Sequence, residues 1–406
     1  MTTPLTIVHT SDWHLGHELH AHPREAEHDA FLAWLLDRLE TLGADCLLVA
    51  GDIYDVANPP TAAIQRLFRF LRDAMARMPR LQIVITGGNH DSAARVDLPG
   101  ALVDNTRLHL VGKLPRREGE VDHDRLFAKI AGQDGATAAL VAAVPFCRPG
   151  DYGVAGLDGL YSAIIEEGAR RADGLPLVVM GHLHVAGGEI SERSERNILV
   201  GGEEAQASSL FDDRCAYVAL GHLHRPQQIK GPCPIRYSGS PFPLSATERD
   251  YRHSIAVVRI ADGGTEVELE PIPRPAPFIA VPPHGGAPLG DVLEELRALS
   301  ARLDPDTPRD FWPFLEITVA TDGPQPFLQH EIQQAIRDLP VRLTRIVRQS
   351  VHQSAEPTAW DGKQIEEMEP AEIFAALHRD EGHGDPGDDL LSAFAELVDA
   401  ARQEDA

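Results

Sequence analysis

The sequence predicts a layered α/β fold followed by a smaller α/β unit and a helical tail. Short β-branched runs alternate with amphipathic stretches through the first 270 residues, metal-ligand residue types stand just after several of these runs, and a Pro-rich segment at 271–283 interrupts the pattern before it resumes. The first run, Leu5–Thr10, reads as a strand. In Glu25–Leu42 the residues Phe31, Trp34, Leu35 and Leu39 share a helical face, and Cys46–Ala50 reads as a buried strand. A helix over 60–77 opens on a proline, and the strand Gln82–Thr86 runs into the loop 87–91. Strands then dominate, at Leu108–Val111, 138–144, 177–180, 217–220, 235–238, 254–260 and 265–270, with one clear helix at 157–171. The segment 271–283 holds six prolines and reads as a linker, which sets a boundary near residue 275. Beyond it the expected order is helix 288–303, strand 315–320, helix 327–339 and strand 341–347, a unit of about 75 residues. Two short amphipathic helices, 371–377 and 390–401, carry too few apolar residues to build a core alone and are expected to dock on something.

Composition narrows the class. The chain has 406 residues, 43% hydrophobic and 24% charged, as in an ordinary globular protein rather than a fibrous or disordered one. Cys46, Cys147, Cys215 and Cys233 lie far apart without a CxxC pair, so neither a zinc ribbon nor a disulfide framework is expected. With no leader-like or membrane-length apolar run, the expected location is the cytoplasm. The net charge is -25, of which residues 355–406, with 3 basic and 15 acidic side chains, contribute -12. Taken alone, this acidity argues against a broad basic surface that would hold nucleic acid. No GxxxxGK[ST] loop occurs, so any ATP hydrolysis must come from another chain.

The chemistry sits at the ends of predicted strands: Asp12 and His14, Asp52 and Asp55, Asn89 with His90 and Asp91, His182, then His222 and His224. Carboxylate, amide oxygen and imidazole form a mixed donor set suited to manganese, iron or zinc rather than calcium, in numbers that imply two ions. Each motif alone is weak, because a DxH or a lone His after a strand is more often a turn residue.

The ordered set DxH, GDxxD, GNHD, GH and GHxH resembles the calcineurin-like metallophosphoesterases over about residues 5–260, with every ligand position of the motif kept. That resemblance implies a two-sheet metallophosphoesterase sandwich flanked by helices. The spellings His9-Thr10-Ser11-Asp12-Trp13-His14-Leu15-Gly16, Arg24-Glu25-Ala26-Glu27-His28, Gly87-Gly88-Asn89-His90-Asp91-Ser92 and Tyr237-Ser238-Gly239-Ser240-Pro241 are similar to the SbcD family of bacterial nuclease subunits. The likeness extends to roughly residue 350 and implies a nuclease domain at 1–272, a small DNA-capping domain at 275–352 and an acidic, partner-binding tail at 355–406. It further implies that Asp12, His14, Asp52 and His224 hold one metal, that Asp52, Asn89, His182 and His222 hold the other, and that His90 faces the scissile phosphate. Asp55 is expected to support ligands or cap a loop as readily as to act directly, and Ser240 to shape the floor with amides open to phosphate.

The cofactor expected on this basis is two Mn2+, with Mg2+, Fe2+ or Zn2+ as substitutes. The expected partners are an SbcC-type coiled-coil ATPase, in a heterotetramer with two copies of each subunit, a second copy of this chain, and DNA ends and hairpins, without a membrane. The implied activities are ATP-dependent 3′ to 5′ exonuclease on double strands and endonuclease on single strands and hairpins, in recombination, repair and replication. Two other readings stand beside it: a phosphoesterase acting on small phosphodiesters or phosphoproteins, and an end-tethering scaffold. His17, His20, His22 and His28 follow no ligand spacing and are expected to be exposed, His9 to be a core or supporting group, and His184 to lose to His182 as the ligand. Arg95 and Arg225 are candidates for phosphate contacts.

Overall fold

The computed structural model describes residues 4–102, 107–189, 205–323 and 325–350, together with short stretches between 374 and 394. Leu5–Thr10 (β1), Cys46–Ala50 (β2), Gln82–Thr86 (β3) and Leu108–Val111 (β4) run parallel in one sheet. A second sheet contains Phe127–Ala131 (β5), Thr137–Ala143 (β6), Leu177–His182 (β7), Cys215–Gly221 (β8), Gln227–Ile229 (β9) and Ile235–Tyr237 (β10), of which β6, β7, β8 and β10 are parallel. The chain then returns to the first sheet as Ser254–Ala261 (β11), antiparallel to β1, and Gly264–Pro271 (β12). The two orders are β12-β11-β1-β2-β3-β4 and β9-β10-β8-β7-β6-β5.

Side-chain alternation along the strands sorts the residues into layers. In β2, Cys46, Leu48 and Ala50 join Val141, Val178, Met180 and Tyr217 in the layer between the sheets, while Leu47 and Val49 pack under the helices Glu25–Leu42 (α1) and Thr61–Arg77 (α2). Helix α1 stops where Gly43 adopts φ 60°, a left-handed cap that glycine tolerates without a Cβ penalty. On the other side, Gly156–Ala172 (α4) lays Leu160, Ile164 and Ile165 on the second sheet.

Several elements escape the sequence pattern. Ala93–Leu102 (α3) contains Leu-Pro-Gly, which reads as a turn, and β5 carries alanines and a lysine, with little strand preference. The Pro-rich stretch is not only a linker: Phe278–Val281 (β13) pairs parallel with Phe314–Thr321 (β14) at a sheet edge, where flanking prolines cost no ladder bonds. Arg342–Ser350 (β15) completes that three-stranded sheet, which with Leu289–Leu299 (α5) and Leu328–Ile336 (α6) buries Val281, Val292, Leu296, Leu315, Ile317 and Ile332.

The chain divides into two compact units, residues 1–319 with 326–348 and residues 320–325 with 349–406. Within the first, a charged stack joins the small sheet to α1. Glu27, fully buried, pairs with Arg24 at 2.5 Å and accepts from Arg342 at 3.4 Å. The guanidinium of Arg342 lies 3.7 Å from the centroid of Phe314, and that of Arg24 lies 4.4 Å from Phe242 and 5.0 Å from Phe314. Removing the acid leaves two cations buried without their counter-charge, so Glu27→Ala is expected to lower the unfolding free energy by about 3 to 5 kcal/mol. Urea denaturation measures this, and a loss under about 1 kcal/mol would show that the stack is held by packing alone.

In the second unit the rings of Phe374 and Phe394 stack with centroids 4.2 Å apart. Most of the two helices expected in the tail lies outside the described residues. No helix among the described residues is long and apolar enough to cross a membrane.

Candidate metal centre

Because β1, β2, β3, β7 and β8 all belong to parallel ladders, their C-terminal ends and the loops that follow gather on one rim. Asp12 and His14 follow β1, Asp52 follows β2, Asn89 and His90 follow β3, His182 ends β7, and His222 and His224 follow β8. Asp12, His14, Asp52, His182, His222 and His224 are all buried, and Asn89 and His90 half-buried.

The backbone is bent to present them. Asp12, His14, Asp52 and His222 have φ of 52°, 44°, 48° and 105°, a left-handed region that costs a non-glycine residue roughly 1 to 3 kcal/mol. Cross-loop bonds hold these turns: Asp12 N–H to the Gly51 carbonyl at 3.1 Å, His14 N–H to that of Asp52 at 3.0 Å, and His222 N–H to Asp12 Oδ1 at 3.0 Å. Close approach also dictates the glycine of two motifs. A Cβ at Gly88 would overlap the Asp52 carboxylate, and one at Gly221 would overlap the Ala50 carbonyl.

The donors then point inward. His182 donates through Nδ1 to the Ala50 carbonyl at 2.9 Å, which turns its Nε2 toward Asn89 Oδ1 at 2.9 Å and Asp52 Oδ2 at 3.3 Å. His14 donates through Nδ1 to Asp55 Oδ1 at 3.2 Å, leaving Nε2 buried without a hydrogen-bond partner, 3.6 Å from Asp52 Oδ2. His224 donates through Nδ1 to Glu248 Oε1 at 2.8 Å. His222 Nδ1 lies 3.2 Å from Asn89 Oδ1. Nitrogen and oxygen atoms thus converge so closely that each such contact requires a proton or a cation between the two. The trios Asp12, His14, His224 and Asp12, Asp52, His182 each bring their ligand atoms within 4.8 Å of one another. These residues fit divalent cations: oxygen and imidazole donors face inward, and the outer nitrogens of His14, His182 and His224 are engaged by carboxylate or carbonyl.

Electrostatics follow the same geometry. Burial opposes ionisation of Asp52, but the surrounding His182, His14 and His90 rings hold its carboxyl well below the usual range. Burial likewise opposes a charge on His182, yet Asp52 and Asp12 raise it to about 9. His222 is lowered to about 3 by burial and then by the neighbouring His182.

Asp55 serves two histidines, its carboxylate accepting from His14 and its carbonyl from His90 Nδ1 at 2.7 Å. Ser240 does not offer its amide to phosphate: that N–H donates to the His224 carbonyl at 3.0 Å, and its hydroxyl donates to the Phe242 carbonyl. His28 is not exposed but fully buried, with ring nitrogens against the carbonyls of Arg24 and Trp13, because the face of α1 it occupies packs under the first motif. His22 is half-buried against the Leu343 carbonyl, and His17 half-buried as well, whereas His20 is exposed. His9 lies in the layer between the sheets beside Tyr217. His184 belongs to none of the ligand trios and lines a side cavity with His182, Phe146, Tyr152 and Tyr161. Arg225 pairs with Glu189 and stacks on Tyr251, and Arg95 donates to Asn58 at 2.9 Å.

Two residues do work that the motifs do not announce. Asp91 accepts from the amides of Ile53, Tyr54 and Gly88, tying the Asp52 loop to the Asn89 loop. Glu248 stands behind His224. Asp91 had a signal, its place directly after Asn89 and His90, while Glu248 had none.

Residues 5–226 match the calcineurin-like phosphoesterase family, and residues 274–381 match the family described as type 5 capsule protein repressor C-terminal domain, SbcD_C. The chain is 38% identical over 386 residues to the SbcD subunit of the SbcCD nuclease from Rhodobacter capsulatus, covering 92% of this chain and 94% of that protein. It is 31% identical to the protein of the same name from Escherichia coli K12, covering 91% and 92%, and 32% identical to that of Bacillus subtilis 168, covering 64% and 67%.

Proposed function

Since this chain belongs to the SbcD family of calcineurin-like metallophosphoesterases, we propose that it is the nuclease subunit of a DNA-processing complex, hydrolysing phosphodiesters at a dinuclear metal centre. The observation that carries the reading is the inward convergence of Asp52 with His14, His182 and Asn89 on the rim of the sandwich, with His14 Nε2 buried and without a hydrogen-bond partner. Asp12, His14, Asp52 and His224 would hold one cation and Asp52, Asn89, His182 and His222 the other, with manganese as the natural pair. Bound divalent cations supply an acidified water and neutralise charge on the phosphate. Asp52 would contribute to both sets. His90, held by Asp55, orients its ring toward the phosphate and gives a proton to the leaving oxygen. Asp55 and Asp91 hold the loops that present these groups.

The domain roles proposed are nuclease for 1–272, capping of DNA for 275–352 and partner binding for the acidic tail 355–406. The partner is an SbcC-type coiled-coil ATPase, two copies with two of this chain, and the activities are ATP-dependent 3′ to 5′ exonuclease and hairpin or single-strand endonuclease in recombination, repair and replication. With 12 of its 25 units of net negative charge in that tail, the isolated chain need not bind DNA tightly. The test is to purify the chain with and without the co-expressed ATPase and to assay a blocked-end hairpin DNA with Mn2+. The expected result is cleavage that is strongest in the complex. Hydrolysis of small phosphodiesters but never of DNA, in both preparations, would transfer the assignment to a small-substrate phosphoesterase.

A further inference from the structure

Glu248 is a fully buried acid 24 residues beyond the His224 it touches, in a short helical turn, Ala246–Glu248, that belongs to none of the ligand motifs. Both of its carboxylate oxygens are engaged. Oε1 accepts from His224 Nδ1 at 2.8 Å, and Oε2 accepts from the Leu244 amide at 2.8 Å. The loop so gripped reaches back to His224 a second time, since the Ser240 amide donates to the His224 carbonyl. It is also fastened from behind, where the Pro243 carbonyl accepts from Arg24 and the Phe242 ring lies under the same guanidinium.

We propose that Glu248 is a positioning residue for His224, fixing the imidazole in the tautomer that carries its proton on Nδ1 and so presenting Nε2 as a ligand. The inference rests on the two-cation reading given above. A carboxylate can only accept, so a His224 bonded to it donates from Nδ1, and in the neutral ring the lone pair is then on Nε2; a ligand nitrogen of His224 lies within 4.8 Å of ligand atoms of Asp12 and His14. A purely structural role, that of an acceptor for the Leu244 amide, would make no demand on the tautomer. Glutamine separates the two. In Glu248→Gln the amide oxygen can still take the Leu244 N–H, which leaves an NH2 group facing His224. That group donates, favours the tautomer with the proton on Nε2 and removes the ligand.

The experiment titrates Mn2+ into metal-free wild type and Glu248→Gln by calorimetry, follows the bound ions by electron paramagnetic resonance, and records thermal unfolding of both metal-free proteins. The expected result is two sites in wild type with the signal of a coupled pair. In the variant one site should weaken about 10- to 100-fold, the signal should become that of isolated Mn2+ at sub-saturating metal, and metal-free unfolding should stay close to wild type. Glu248→Asp, which keeps the acceptor chemistry on a shorter arm, should recover part of the lost affinity. Two sites of undiminished affinity in Glu248→Gln would overturn the proposal while leaving the two-cation reading intact. Equal weakening at both sites together with a large fall in metal-free unfolding temperature would also overturn it, in favour of a structural role. A wild type that binds no pair of ions would overturn the two-cation reading itself.

Discussion

His90→Ala is expected to take up divalent cations as wild type does and to lose cleavage by about 10²- to 10⁴-fold. The site admits a competing role, because the ligand atoms of His14, Asp52 and His90 also lie within 4.8 Å of one another, so distance alone would count His90 as a ligand. Its bonding argues otherwise. The ring is tethered through Nδ1 to the Asp55 carbonyl, and its own backbone amide donates to Asp52 Oδ1 at 2.9 Å. The rings of His90 and His14 meet edge to face with centroids 4.8 Å apart, leaving His90 at the more open side of the site. Metal stoichiometry and hydrolysis measured on the same sample decide the matter. A variant that loses a bound ion along with activity makes His90 a ligand, and one that cleaves at the wild-type rate removes it from the reaction.

Asp52→Asn is expected to have the larger effect on metal uptake, lowering affinity by more than the roughly 10- to 100-fold typical of a supporting residue and abolishing measurable hydrolysis. Two inward nitrogens lie close to this carboxylate, His182 at 3.3 Å and His14 at 3.6 Å. The amide keeps the shape and removes the charge. It also removes the main reason that His182 holds its proton up to about 9 despite burial. In wild type the sign follows directly. His182 is protonated in the metal-free protein at neutral pH, a cation must displace that proton, and affinity therefore rises with pH until about 9. Calorimetric titrations in buffers of different ionisation enthalpy count the proton released, and a release that persists unchanged in Asp52→Asn would show that another group supplies it.

What the sequence reveals of this protein depends on where information is local. The candidate ligands are spelled in short motifs, four of the five carrying a glycine beside the ligand residue, although the close approach that requires that glycine, as of Gly88 to Asp52, is made across the fold. The family and the fold are legible from them. Residues that act across the fold leave no such trace. Glu248 meets His224, and Ser240 meets the same residue, only because the loop after β10 folds back over the β8 turn. His28 reads as one more polar residue at a helix start, but tertiary packing beneath Trp13 buries it. At the level of elements, propensity misleads where packing decides: a Leu-Pro-Gly stretch is helical, and a strand is set between prolines.

The stack of Phe242, Arg24, Phe314 and Arg342 bears on how interchangeable the parts of this chain are. Phe314 and Arg342 come from the small sheet, Arg24 and Glu27 from the start of α1, and Phe242 from the loop that also cradles His224. A chimera with a foreign small domain grafted after residue 274 would therefore inherit an unfilled socket, with Glu27 short of one cation and Arg24 short of one ring. The graft must bring an arginine and an aromatic to the same spot, or the recipient must surrender its own buried charges. Lineages that exchange the small domain are thus expected to change Arg24 and Glu27 together with it, so that the boundary drawn by prolines at 271–283 is a seam in the chain but not in its inheritance.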